Sequence, residues 1–334
     1  MTARISYTLA DVATRAGVSE ITVSRVLRNK ASVAEKTRER VLAVVREMGY
    51  VPNRVAGTLA SSGSNLVGVV LPSLSNIVFP DVLRGIHAAL APSGYQPVVG
   101  VTDYDQEIEE QLVASLLSWQ PAAMILSGLH HTSYTVEMLR RAGVRIAELM
   151  DIDATPLDIA VGMSHHRAGI DTARYLHGRG YRRFGYVGHD RSRDLRAARR
   201  YEGLRQGLAE AGLSLEGEIA AAAPSSTSAG RELLGQLLAA HRDLDVVVFS
   251  NDDMAVGGAF HCFAAGIRLR DELALFGFNG LDIGQALPQP LSTLRSHRFL
   301  IGRTAAEMIL EPRGADARPV IRDTGYDIIE GETA

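Results

Sequence analysis

Between Leu9 and Leu27 the apolar residues fall at the spacing of two short helices rather than one long one. Thr8-Leu9-Ala10-Asp11 sets a hydroxyl cap ahead of an acidic residue, so a helix begins near Leu9. Val12, Ala13 and Ala16 form its apolar stripe, Gly17 ends it and Val18 plugs the corner. Ser19 caps a second helix whose Val23, Val26 and Leu27 face inward. Its other face carries Glu20, Ile21, Thr22, Ser24, Arg25 and Arg28. A third amphipathic helix over 34–48 turns Val41, Val44, Val45 and Met48 to one side, at i, i+3, i+4 and i+7. Three such helices enclose a core too small to do much besides present the second one.

Beyond residue 65 the pattern changes to short apolar runs alternating with helical stretches. "NLVGVVLP", "QPVVGV", "AAMILSG" and "RIAELM" read as strands, with helices near 80–91, 105–118 and 133–142. "RFGYVGH", "LDVVVFSN" and "LALFGFNG" repeat the theme with long helices between. This alternation predicts a doubly wound α/β arrangement, and roughly 270 residues is more than one such sheet needs. A break near 160–164 and the late strand-like "LSTLRS" (291–296) point to two lobes with the chain crossing between them.

Charge separates the two regions. Residues 1–62 hold ten Lys and Arg against five Asp and Glu, a balance of +5; the chain's net −3 leaves −8 for the rest. A basic head on an acidic body points to a polyanion partner for the head alone. The 46% hydrophobic and 22% charged content is that of a globular protein, and no uncharged apolar run reaches transmembrane length. No apolar signal core opens the sequence and the single cysteine, Cys262, excludes an internal disulfide, so a cytoplasmic setting is expected. Cys262 reads as a buried small hydrophobe.

Two helices joined by a short Gly-containing turn, the second polar at its start, describe a helix-turn-helix whose second helix fits a DNA major groove. "TLADVATRAGVSEITVSRVL" followed by "KTRERVLAVVREMGYVPNRVAGTLA" resembles the headpiece of the lactose-repressor family of bacterial transcription regulators. The resemblance places Glu20, Ile21 and Arg25 at base-reading positions. It gives Ser19, Thr22, Ser24 and Thr37 phosphate contacts, with Tyr50 and Asn53 supporting the backbone contacts. Thr8, Arg28 and Arg54 complete the expected DNA-facing set. Arginine can pair bidentately with guanine, glutamate accepts from cytosine N4, and isoleucine touches a thymine methyl. Ala34 stands where the family often has a serine facing phosphate.

"NRVAGTLASSGS" (53–64) corresponds to the family's hinge helix and linker. Gly57 costs such a helix about 1 kcal/mol relative to alanine, so the segment is marginal alone. Leu59 matches the leucine wedged into the minor groove. The expected division is thus a helix-turn-helix domain over 1–52, a hinge over 53–64, and a two-lobed effector-binding and dimerisation domain over 65–334 that resembles periplasmic sugar-binding proteins.

In open α/β sheets ligands lie beyond the carboxyl ends of strands. Those ends hold Ser73 and Asn76 with Phe79 close by, Asp151, Asn251-Asp252-Asp253, and Phe278-Asn279 with Asp282. Arg200 lies near the start of the helix after "RFGYVGH". The resemblance makes Asn76, Phe79, Asp151, Arg200, Asn251 and Asn279 effector contacts. Where the family has an Asp-Asn pair, this chain has Ser164-His165, which adds His165 to the expected set with Phe278 and Asp282. Carboxylates and carboxamides satisfy hydroxyls, and an arginine grips a carboxylate. The alternative for the Asn and Asp residues is helix capping or lobe packing.

"VLPSLSNIVFPDVLRGI", "LLSWQPAAMIL", "SNDDMAVGGAF" and "GFNGLDIGQ" are similar to the family's gluconate-utilisation repressors, which implies gluconate or a related sugar acid as effector. A homodimer is expected, reading a pseudo-palindromic operator in double-stranded DNA, with no membrane partner; no leucine heptads close the chain. No cofactor, metal or enzymatic activity is expected. His130-His131 and His165-His166 lack ligand spacing, "AVGGAF" is no dinucleotide loop, and Trp119 reads as local packing. The rivals are a regulator answering another metabolite, a sugar-transport protein, which the basic head opposes, and a sugar-acid enzyme, which no nucleophile or general base supports.

Overall fold

The computed structural model describes residues 7–27, 32–51, 64–74, 78–312 and 318–334. The chain divides into two compact units, Met1–Gly63 and Ser64–Ala334.

The first unit contains α1 (Leu9–Ala16), α2 (Glu20–Leu27) and α3 (Glu35–Met48). Thr8 and Asp11 form the expected capping box: Thr8 Oγ1 accepts from Asp11 N at 3.3 Å, and Thr8 N donates to Asp11 Oδ2 at 2.7 Å. Gly17 closes α1 at φ 63°, a conformation that glycine adopts without strain. Val12, Ala13, Ala16, Val23, Val26, Val41 and Val44 make the core, with Leu27, Val45, Met48 and Tyr50 packed around it. Ala34 stands at the cap position of α3 and supplies no side-chain hydrogen bond.

The second unit holds two six-stranded sheets. The amino lobe carries β1 (Leu66–Leu71), α4 (Val78–Leu90), β2 (Gln96–Val101), α5 (Gln106–Ser118), β3 (Ala123–Ser127), α6 (Ser133–Ala142), β4 (Arg145–Leu149) and β5 (Ile159–Gly162). The carboxy lobe follows with α7 (His165–Gly178), β6 (Phe184–Gly188), α8 (Leu195–Glu210), β7 (Leu215–Ala220), α9 (Thr227–Ala240) and β8 (Val246–Phe249). It continues through α10 (Asp252–Ala265), β9 (Ala274–Phe278), α11 (Asp282–Gln285) and β10 (Ser292–Ser296). The chain then returns to the amino lobe for α12 (Arg298–Leu310) and β11 (Val320–Asp323), and ends in the carboxy lobe as β12 (Tyr326–Ile329). The sheet orders are β2-β1-β3-β4-β5-β11, with all pairs parallel, and β7-β6-β8-β9-β10-β12, in which β12 runs antiparallel. Each lobe therefore reverses its winding beside its first strand, where such sheets bind ligands.

The segment read as a break near 160–164 contains β5, a buried four-residue strand, followed by the first lobe crossing. The chain crosses three times, and the crossings are tied together. Thr324 N donates to Gly162 O at 2.8 Å, and His297 Nδ1 lies 2.8 Å from Thr324 O. Trp119 caps the end of α5 and is 51% exposed, so it packs less than the sequence suggests. Cys262 is buried as expected, which pushes its thiol up to about 12. Among the described residues no helix is long and apolar enough to cross a membrane.

Within the amino lobe, His131 is buried between two carboxylates, with Nδ1 2.6 Å from Glu109 Oε1 and Nε2 3.4 Å from Glu148 Oε1. Burial opposes its charge, but the two glutamates more than offset that and raise its pKa to about 9. This shift, worth roughly 3 kcal/mol, stabilises the fold fully below the unfolded value of about 6.5 and is lost as pH rises through about 9. Thermal melts should show the melting temperature of the body falling between pH 6.5 and 9.5. In His131→Gln it should start lower at pH 7 and lose most of that slope; an unchanged slope would contradict the buried imidazolium.

Candidate functional site

Parallel strands bring their carboxyl ends together across the two lobes, around a cavity of about 420 Å³. This lies within the usual range for small-molecule sites. Its wall carries Ser73 after β1, Asp103 and Tyr104 after β2, Met150 after β4, His189 and Asp190 after β6, Asn251 and Asp253 after β8, and Phe278 and Asn279 at the end of β9. Arg193, Asp194, Arg196 and Arg200 come from the start of α8 and the turn before it. Asp103, Tyr104, Met150 and Asn279 have positive φ, four of the six such non-glycine residues among those described. Backbone strain of that kind collects where side chains must be aimed.

Arg200 is held from three sides. Nη1 lies 2.9 Å from His165 Nδ1, Nη2 donates to Ser250 O at 3.2 Å, and the guanidinium sits 3.9 Å above the Phe278 ring. His165 Nε2 meets Met150 O at 2.7 Å. A carbonyl only accepts and a guanidinium only donates, so this histidine is neutral with its proton on Nε2. Burial, then the Arg200 charge, holds His165 well below its ordinary pKa, which agrees with that tautomer. No carboxylate among the described residues lies within ion-pair distance of Arg200. The close approach of α7 and α8 makes the contact: a Cβ on Gly203 would stand 2.0 Å from His166 O.

The neighbouring arginines on the same helix face are differently engaged. Arg196 donates to Ser127 Oγ at 3.0 Å and lies 3.7 Å from Asp194 Oδ1. Asp194 also caps α8 through Ala197 N and faces His189 Nε2 at 3.3 Å. Burial penalises its charge, but His189, Arg196 and Arg200 outweigh this and hold it far below the usual carboxylate range. Arg199 pairs with Asp151.

Of the residues expected from the sequence, His165, Arg200, Asn251, Phe278 and Asn279 are brought together on the cavity wall. Asn251 does both things weighed for it: its Oδ1 caps α10 by accepting from Met254 N at 3.1 Å, while the residue lines the cavity. Asp151 lies in a smaller side pocket with its carboxylate turned to Arg199. Phe79 is fully buried in the amino-lobe core, one residue from the cavity-lining Val78. Asp282 is exposed at the start of α11, away from the cavity wall. Asn76 lies outside the described residues. The sequence reading missed Arg196, Arg193, Asp194, His189 and Tyr104. The i, i+3, i+4 spacing of Arg196, Arg199 and Arg200 was the available signal, since it puts all three on one helix face. Among the described residues no group of His, Cys, Asp or Glu is arranged to hold a metal ion.

In the first unit α2 presents Glu20, Ile21 and Arg25 to solvent, with Thr22 and Ser24 half-buried beside them. Ile21 is 65% exposed. Ser19 Oγ accepts from Thr22 N at 3.3 Å, so the N-terminal turn is capped as expected. Thr37 and Tyr50 are half-buried, Tyr50 against the head core, and Thr8 is exposed. Arg28, Asn53, Arg54, Leu59 and nearly all of the 53–64 hinge lie outside the described residues.

A helix-turn-helix and a two-lobed ligand-binding body in one chain define a ligand-responsive DNA-binding regulator. Residues 8–53 match the model for bacterial regulatory proteins of the lacI family, and residues 64–326 match that for periplasmic binding proteins and the sugar-binding domain of the LacI family. The chain is 39% identical to the HTH-type transcriptional regulator GntR of Pseudomonas aeruginosa, over 98% of this chain and 95% of that one. It is 37% identical to GntR of Escherichia coli, over 97% of each. A LacI-family transcriptional regulator from Silicibacter pomeroyi superposes with a TM-score of 0.91 at 42% identity, covering 98% of this chain and 99% of that one. The chain belongs to the LacI family: it is a DNA-binding transcriptional repressor and not an enzyme.

His165→Phe would leave Met150 O and one Arg200 N–H unpaired in a buried site, at a cost of about 1–3 kcal/mol. A lowered melting temperature, recovered in part by His165→Asn, is the expected outcome; a melt identical to wild type would show that the chain of contacts bears no weight.

Proposed function

We propose that this repressor controls sugar-acid utilisation genes and is released from its operator by gluconate or a close relative bound in the cavity. One observation carries the reading: the Arg200 guanidinium stands half-buried on the cavity wall with no carboxylate within ion-pair distance among the described residues, the Asp194 charge acting on it from beyond that range. A cation partly withdrawn from water gains from a counter-charge in direct contact, and a ligand carboxylate supplies one with bidentate geometry. Asp103, Asp190 and Asp253 offer acceptors to hydroxyls elsewhere on the wall, and Asn251 retains its amide donors. The similarity to GntR regulators over nearly the whole chain supports the same ligand class.

In this reading a homodimer sets one helix α2 in each major groove of a pseudo-palindrome. Arg25, Glu20 and Ile21 read bases; Ser19, Thr22, Ser24, Thr37 and Thr8 meet phosphates with Arg28, Arg54, Asn53 and Tyr50; and Leu59 wedges the minor groove. The cytoplasm is where such a protein meets both its DNA and its metabolite. Closing on the effector separates the paired hinge segments. Each tenfold loss of operator affinity needs about 1.4 kcal/mol of ligand preference for the released state.

Operator duplexes selected from a random pool should be retained by the protein and released as D-gluconate is added. Arg200→Met should keep operator affinity but need at least about 10- to 100-fold more gluconate, from the loss of one or two charge-assisted hydrogen bonds. Arg25→Ala should lose about 1–3 kcal/mol of operator binding and relax preference at one base pair. Equal gluconate sensitivity in wild type and Arg200→Met would overturn the assignment of the carboxylate clamp.

A further inference from the structure

Arg199 precedes Arg200 on α8, yet its guanidinium faces the other lobe. Nη1 donates to Asp151 Oδ2 and Nη2 to His130 Nε2. These acceptors belong to two different amino-lobe loops, one after β4 and one after β3. The Asp151 side chain is 1% exposed and that of Arg199 18%, and the second Asp151 oxygen accepts from Asp153 N at 2.9 Å. Burial and the adjacent Arg199 charge hold His130 below its ordinary pKa, which keeps its Nε2 lone pair free to accept. The ion pair bridges the lobes through protein groups alone and outside the main cavity wall. Separating the lobes would strand or rehydrate both charges at once, so the contact has two states, made and broken.

We propose that Arg199, through Asp151 and His130, is a latch between protein groups that holds the two lobes together around the cavity. Arg199 is then a positioning residue, while Arg200 is the ligand-facing one. Apparent ligand affinity scales with the fraction of protein already in the competent state, so a latched body binds more tightly than a loose one with the same contacts. This inference concerns lobe position and does not rest on the identity of the ligand.

The test uses the full chain with spin labels at Ser118→Cys and Ser214→Cys, exposed positions on opposite lobes. Cys262 is buried and does not compete for label. Without ligand, and with labelled chains diluted in excess unlabelled protein so that a dimer carries one labelled chain, electron–electron resonance should give one narrow interlobe distance. Arg199→Met should add a second, displaced population or broaden the first, and Asp151→Asn should do the same while keeping the side-chain shape. Arg199→Lys should restore most of the narrow component, which a general loss of packing would not. If Arg199→Met fails to fold, Asp151→Asn carries the test. Distributions for both variants that superimpose on the unsubstituted pair, or a broad one in the parent, overturn the latch. Where D-gluconate binds the parent, both variants should bind it about tenfold or more weakly. Absence of gluconate binding to the parent would fault the proposed effector and leave the distance result to decide the latch.

Discussion

A half-buried positive charge on the cavity wall, with no carboxylate at ion-pair distance among the described residues, is the constraint on which the cavity depends. Arg200 is held in place by a neutral histidine, a backbone carbonyl and an aromatic face, all of which orient a guanidinium without neutralising it. Neutral acceptors of this kind keep the field of the cation available to an incoming anion. Each support depends on a local decision of the chain. Met150 must turn its carbonyl inward at φ 74°, and Gly203 must lack a side chain so that α7 can bring His165 within reach.

The three arginines on one face of α8 show how context divides identical side chains. Arg196 is balanced by Asp194 and reaches Ser127, Arg199 is balanced by Asp151, and Arg200 alone lacks a carboxylate within ion-pair distance among the described residues. Two cations therefore bridge the lobes, and the third faces the space between them. A single helix, pinned at its start by Asp194, thus serves both lobe position and ligand charge. The carboxy lobe braces the same wall from beneath. Buried Asp252 accepts from Leu281 N and Thr293 Oγ1, each at 2.6 Å, and so fixes the loop that carries Asn279.

Much of this was legible in the sequence because the signals were local. The capping box at Thr8 and Asp11, the Gly17 stop and the valine stripes of the head each lie within one helical turn. The alternation of apolar runs likewise gave most of the strands. Short or charged strands were harder to see. β5 offers only Ile-Ala-Val-Gly, β7 is interrupted by two glutamates, and β11 is exposed along its length. The resemblance set Phe79 among the effector contacts, close to the end of β1. Its helical spacing with Val82, Ile86 and Leu90, all buried with it, was the better guide. The partners of the arginines were hidden for a different reason. Arg199 and Asp151 are 48 residues apart, and no periodicity announces a contact made across two lobes.

The central claim is that charge at Arg200, rather than hydroxyl recognition alone, selects the ligand. Calorimetric titration of the purified protein with D-gluconate and with D-glucitol, which keeps the hydroxyls but has no carboxylate, tests it most directly. The account predicts that gluconate binds and that the polyol binds at least about 100-fold more weakly, the worth of a charge-assisted bidentate contact. Equal affinity for the two would contradict it.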